Sequence, residues 1–323
     1  MKQLSKQRNL LKVKFTEEVV KELMPEWSDA RDIQIVVLEG GITNKLYRIT
    51  SDKGYEAVRI YGDRTEIFIN RDWEAEAIEK MAAEEISPKL VKYIPEQKVT
   101  IVEFVTGCYT MKNPDFLKAE LHELIVDPIR RIHRSKAKLS KHFDPPVEAE
   151  KMANILQKDV GASYPEFDIA GTLRKFRRLA EHTGIPKAEY TVSHNDLLAE
   201  NFLLVQDPYK DRFPRPLYII DWEYAGMAPR FYDLADMFQE VLVPREVEKK
   251  IIEHYCDGKC PNDTMRMVDL YKPYPDIYWF LWALVQKNVS SIKFDFYTYG
   301  KVKYDNAQKN LRFIETEYAI ALS

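Results

Sequence analysis

The sequence predicts an α+β fold in two lobes: a β-rich amino-terminal lobe over residues 1–105 and a mostly helical lobe over 106–323. Three observations carry this. Short alternating apolar runs separated by turn residues fill the chain up to Phe104. From about Thr110 the apolar positions shift to helical spacing. Within that helical half, two β-prone runs at 202–205 and 217–220 flank a polar, proline-bearing loop, and the second run delivers Asp221 at its end.

Thr16 with Glu17 and Glu18 marks a helix start, because acids in a first turn complement the helix dipole. A strand follows at 33–38, then Gly40-Gly41-Ile42-Thr43-Asn44, where paired glycines permit a tight turn whose N–H groups can approach phosphate. A plain hairpin turn is the alternative for that pair. Residues 45–50 and 55–61 alternate as paired strands around Asp52-Lys53-Gly54, and the second carries Arg59. A helix is expected over 69–84 and another hairpin over 91–94 and 98–104. Glu103-Phe104-Val105-Thr106-Gly107 then leads from strand into hinge. Residues 116–138 have helical spacing that Pro128 should break or kink. Residues 172–182 form a basic amphipathic helix, whose Arg174, Lys175, Arg177 and Arg178 read as a solvated face. In a helix at 276–290, Trp279, Trp282 and Gln286 fall on one face.

Chemistry concentrates in the loop before 202. His194-Asn195-Asp196 is followed five positions on by Asn201, and Asp221 comes later at a strand end. That order matches a protein-kinase catalytic loop and its metal-binding aspartate. Phosphoryl transfer needs a carboxylate to orient and deprotonate the attacking hydroxyl, and hard oxygen ligands for Mg²⁺. Asp196 suits the first role, and Asn201 with Asp221 the second.

With these residues, Ile220-Asp221-Trp222-Glu223-Tyr224 and the segment Phe231 to Glu240, the chain resembles the choline/ethanolamine kinase family. The resemblance runs from about Glu39 to Tyr304 and implies a bilobal protein-kinase-like fold acting with ATP and Mg²⁺. It implies Asp196 as catalytic base, with Arg59 on the nucleotide phosphates paired to Glu74, and Asn201, Asp221 and Glu223 on the metal. Gly41, Asn44 and Arg59 would meet the nucleotide, and the backbone of Glu103 and Val105 the adenine. Arg59 stands where protein kinases carry lysine, and its planar fork can grip two oxygens. Tyr224, Trp279, Trp282, Phe294, Phe296 and Tyr299 match the family's substrate pocket, since aromatic faces attract ammonium groups. Glu240, with Asp233 and Asp236, would add countercharge. His133 reads as a core or capping histidine.

The implied reaction is O-phosphorylation of ethanolamine or choline, the first step of phospholipid head-group synthesis. GGITNKL, VRIYG and Phe294-Asp295-Phe296 look more like ethanolamine kinases. Against this, Asp236 departs from the asparagine common to both eukaryotic branches, and the IDWEYAG form also resembles bacterial choline kinases. An aminoglycoside-type phosphotransferase is the rival enzyme, and a silent kinase-like module that binds an ammonium ligand is the rival from another class.

Composition narrows the remainder. The 323 residues carry a formal net charge of −3, with 45% hydrophobic and 31% charged residues, as in an ordinary globular protein with ample core. That balance implies no nucleic-acid partner and no general pull toward anionic membrane. No signal peptide is evident, and the longest apolar run, at 278–285, falls short of a membrane span, so a cytoplasmic enzyme without membrane insertion is expected. Cys108, Cys256 and Cys260 are too few for a disulfide framework, and His254 with two of them fits no standard zinc spacing. The partner expected is a small amino alcohol, and a homodimer stays open as the assembly.

Overall fold

The computed structural model describes residues 10, 14–38, 44–62, 69–207, 209–259, 262–290 and 292–322. Gly41 and the rest of 39–43 lie outside these, as does Cys260. The chain separates into two compact units, Met1–Tyr109 with Leu203–Glu223, and Thr110–Phe202 with Tyr224–Ser323. The segment Leu203–Glu223, which the sequence groups with the helical lobe, clusters with the β-rich unit.

The first unit is built on a five-stranded antiparallel sheet in the order β1-β2-β3-β5-β4. Its strands are β1 (Gln34–Leu38), β2 (Lys45–Ser51), β3 (Gly54–Ile60), β4 (Leu90–Ile94) and β5 (Val99–Glu103). Ser51 pairs with Gly54, so β2 and β3 turn through two residues. One sheet face carries Tyr47, Ile49, Val58 and Ile101 and buries them beneath Val19, Val20 and Leu23 of α1 (Glu17–Leu23) together with Trp27. Period-2 alternation then sets Arg59 on the face opposite Val58. Helix α2 (Arg71–Ala83) begins where the Asn70 side chain accepts the N–H groups of Asp72 and Trp73. A three-stranded sheet joins β6 (Cys108–Thr110), β8 (Phe202–Val205) and β9 (Leu217–Ile219). Hydrogen bonds from Val205 N–H to the Pro216 carbonyl and from Ile219 N–H to the Ile86 carbonyl fix the strand that ends just before Asp221.

The second unit is helical around one two-stranded ribbon. Helix α3 (His122–Arg134) runs continuously through Pro128. It starts later than the spacing suggests, because 113–121 is taken by two short 3₁₀ turns, the first anchored by Asp115 accepting the Lys112 N–H. Helices α4 (Pro145–Asn154) and α5 (Ile169–Thr183) follow, then β7 (Thr191–Ser193), which pairs antiparallel with β10 (Gly226–Ala228). The remaining helices are α6 (Arg230–Val241), α7 (Arg245–Tyr255), α8 (Asn262–Tyr271), α9 (Pro273–Val289) and α10 (Phe296–Glu317). Apolar around most of its circumference, α9 is the central helix of this unit and is buried almost throughout. Gly300 lets α10 approach it closely, since a Cβ there would come within 3.0 Å of Ala283 Cβ. No described helix is long and apolar enough to cross a membrane.

Candidate active site

In the first unit, two arginines and three acids form one cluster. Arg59 Nη1 lies 2.8 Å from Glu74 Oε1, 2.8 Å from Asp221 Oδ1 and 3.9 Å from Glu223 Oε2. Arg71, one turn of α2 before Glu74, donates from Nη1 to Glu74 Oε2 at 2.6 Å and to Glu223 Oε2 at 2.9 Å. Its guanidinium stacks 4.0 Å from the centroid of the Tyr61 ring, and the Tyr61 hydroxyl bonds that of Thr100. Glu74 is the acid of α2 that meets Arg59, while Glu76 is engaged by Lys80. Asp221 follows β9 with φ of +70°, a left-handed conformation that aspartate tolerates better than most residues and that collects at functional turns.

Carboxylate oxygens of Glu74, Asp221 and Glu223 lie within 4.8 Å of one another. Two guanidinium groups face these three acids. Burial, and next the charge of Asp221, push Glu223 up to about 7 against the pull of Arg71. Hard carboxylate oxygens this close together fit a divalent cation such as Mg²⁺. Asn44 and Gly62 are linked by the Gly62 N–H donating to Asn44 Oδ1 at 3.2 Å, so the end of the glycine segment is tied to the end of β3. Val105 is buried against Val205 and Tyr218, and Glu103 sits opposite Glu56 across the β3–β5 pair.

In the second unit, the β7–β10 ribbon carries the His194-Asn195-Asp196 loop, and α6 clamps it. Asp233 accepts the backbone N–H groups of His194 at 2.8 Å and Asn195 at 2.7 Å. Three residues on, Asp236 Oδ2 accepts the Leu197 N–H at 2.7 Å. Asn195 has φ of +66°, and its amide donates to the Tyr224 carbonyl at 3.0 Å. Asn201 donates from Nδ2 to the Asp196 carbonyl at 2.8 Å, which closes the loop on itself. The i, i+3 spacing of the two aspartates puts both on the helix face that meets the loop. Asp233 is therefore a loop clamp, completely buried, and not the ligand countercharge expected from the sequence. His133 is buried beside it, with Nε2 3.0 Å from Asp233 Oδ2 and Nδ1 2.8 Å from the Tyr255 hydroxyl.

The same unit brings the expected substrate residues into one aromatic series. Tyr224 meets Trp279 at 5.0 Å between ring centroids, Trp279 meets Trp282 at 5.8 Å, and Trp282 meets Phe296 at 5.7 Å and Tyr299 at 6.4 Å. Phe294 is exposed but contacts Phe296 and Tyr299. Trp279 Nε1 donates to Asp236 Oδ1 at 2.9 Å. Burial, and next the charge of Glu240, hold Asp236 well above the usual carboxylate range, against the bonds from Trp279 and Leu197.

Glu240 is not the open countercharge the sequence suggested. Lys303, from α10, donates to Glu240 Oε1 at 2.5 Å and to the Gln239 carbonyl at 3.1 Å, with its Nζ 3.8 Å from Asp276 Oδ1. Neither Lys303 nor Arg71 stands out in the sequence. A buried charge on each was the only available signal, and burial is a tertiary property.

A family model for choline/ethanolamine kinase matches residues 35–255, the stretch holding the first-unit cluster, the clamped loop and Tyr224. The chain belongs to the choline/ethanolamine kinase family. It is an enzyme with kinase activity and an α+β, protein-kinase-like fold. It is 26% identical over 328 residues to a probable ethanolamine kinase of Arabidopsis thaliana, covering 90% of this chain and 84% of that one. With human ethanolamine kinase 2 it shares 26% identity, covering 89% and 78%. The crystal structure of a choline/ethanolamine kinase family protein from Mesorhizobium loti superposes with a TM-score of 0.76 at 22% identity, covering 95% of this chain and 97% of that one.

Proposed function

We propose that this kinase transfers the γ-phosphoryl group of ATP, with Mg²⁺, to the hydroxyl of ethanolamine, with choline as the alternative acceptor. The observation that carries the reading is the aromatic series from Tyr224 through Trp279 and Trp282 to Tyr299, bordered by Asp236 and Glu240. Ring faces attract the ammonium end, and a carboxylate meets its N–H donors. Likeness to two ethanolamine kinases favours ethanolamine. The Lys303 pairing of Glu240 favours choline, whose quaternary nitrogen needs no acceptor.

Asn201, Asp221 and Glu223 are the residues we assign to Mg²⁺, which when bound would offset negative charge on the phosphate oxygens. Asp196 orients the acceptor hydroxyl and takes its proton as the oxygen attacks phosphorus. Arg59 holds phosphate oxygens, and Glu74 with Arg71 keeps its guanidinium in place. Gly41 and Asn44 serve the phosphates, and the backbone of Glu103 and Val105 the adenine. The phosphorylated alcohol would enter phospholipid head-group synthesis in the cytoplasm.

The test is ADP release followed over a panel of amino alcohols with and without Mg²⁺. Turnover should require both an amino alcohol and the metal. ATP consumption that ignores every amino alcohol, or that proceeds equally on an aminoglycoside, would remove this reading.

A further inference from the structure

Lys303 is 5% exposed, and its ammonium sits where a ligand ammonium would be expected to bind: on a carboxylate, beside a second one, with its Nζ 5.8 Å from the Tyr299 ring centroid. We propose that Lys303 is a specificity-determining residue, which occupies Glu240 and so lowers the advantage of primary over N-methylated amino alcohols. This inference rests on the amino-alcohol reading above.

The argument is one of acceptor supply. A primary ammonium brings three N–H donors into a desolvated pocket, and each must find an acceptor or lose affinity. Of the nearby carboxylates, Asp236 already accepts from Trp279 and Leu197. Asp276 accepts from Gln239 at 2.6 Å and from Asn310 at 3.2 Å, both on Oδ2, and its Oδ1 faces the Lys303 ammonium at 3.8 Å. Glu240 is the third, and Lys303 binds it. N-methyl groups ask for no acceptor and gain from aromatic faces, so they are penalised least where acceptors are already engaged. Lys303 also ties α10 to α6, which is the purely structural alternative. A tie between helices would not discriminate among ligands by methylation.

The experiment measures kcat/KM for ethanolamine, its N-methyl and N,N-dimethyl derivatives and choline, in the unaltered chain, Lys303→Met and Glu240→Gln. Freeing Glu240 in Lys303→Met should move the ethanolamine-to-choline ratio toward ethanolamine by about tenfold, the worth of one charge-assisted hydrogen bond, with KM for ATP held. Should that variant fail to fold, Glu240→Gln decides. It leaves Lys303 with Asp276 at 3.8 Å but without its closest countercharge, so the lysine repels every ammonium more strongly and the whole series should weaken with a ratio held within about threefold. A ratio shift below about threefold in Lys303→Met, a shift toward choline, or a selective loss of ethanolamine in Glu240→Gln would each overturn the role of Lys303. Failure of the unaltered chain to use any member of the series would instead sink the functional reading, and this inference with it.

Discussion

Asp233 receives the backbone N–H of Asn195 at 2.7 Å, and its other oxygen receives that of His194 at 2.8 Å. The carboxylate thereby holds the two residues before Asp196, one of them in a left-handed conformation. Replacement by alanine strands two buried donors, each costing about 1–3 kcal/mol. Asp233→Asn is the gentler probe, since one amide oxygen can still accept. It should lower kcat by about 10²-fold, the scale of a 1 Å misplacement, while the protein still melts cooperatively. Unchanged kcat in a folded Asp233→Asn protein would show that the clamp does not position the base.

Asp196 should carry the proton transfer. Asp196→Asn is expected to retain ATP binding while kcat falls by about 10²–10⁴-fold, the usual worth of a general base. Nucleotide titration and steady-state turnover on the same preparation separate the two effects. Near-normal turnover would take Asp196 out of the mechanism.

Much of this was legible from local signals. Strands β1 to β5, the loop at 194–196 and the tryptophan spacing on α9 follow from periodicity and from offsets of three to five residues. What escaped was pairing between distant segments. Arg71 and Glu223 are 152 positions apart, and Lys303 and Glu240 are 63. Nothing in the run Lys301-Val302-Lys303-Tyr304 tells a buried lysine from a solvated one. The helix aspartates were visible, but the backbone donors they satisfy depend on how a loop folds back on α6.

Asp221 should matter through metal and not through folding, because Glu74 retains Arg59 when it is removed. Asp221→Asn, which tolerates the left-handed conformation as aspartate does, should sharply lower turnover and raise the Mg²⁺ needed for nucleotide binding, with little change in melting temperature without ligand. Magnesium titrations of nucleotide affinity, beside a thermal melt of the ligand-free protein, check this. A variant that unfolds without ligand, or that keeps full activity, contradicts the assignment.

Glu56 is a stability switch away from the catalytic residues. It lies opposite Glu103 across two strands, and one of its carboxylate oxygens is buried without a hydrogen-bond partner among the described residues. Burial, then the charge of Glu103, then that of Glu26 push it up to about 7 from an ordinary 4.5. The folded state thus holds a proton that the unfolded chain has released, and this group's contribution falls as pH rises from 4.5 through 7. Glu56→Gln removes that loss. Its melting temperature should match the unaltered chain near pH 5 and exceed it at pH 8. A gain at pH 5 as large as at pH 8 would rule out titration of Glu56 as the cause.

Asp236 links ligand charge to protonation. In the unliganded protein, burial and the neighbouring Glu240 favour its neutral form. An ammonium arriving among Tyr224, Trp279 and Tyr299 adds positive charge beside it and favours the carboxylate. Binding should therefore release a proton, and affinity should rise with pH by up to about tenfold per unit while the group is protonated in the free enzyme. Calorimetry of amino-alcohol binding in buffers of different ionisation enthalpy measures the proton directly. Asp236→Asn keeps an acceptor for the Trp279 indole and cannot titrate, so its binding enthalpy should be the same in every buffer. Persisting proton release in Asp236→Asn, or none in the unaltered chain, would move the linkage to another group.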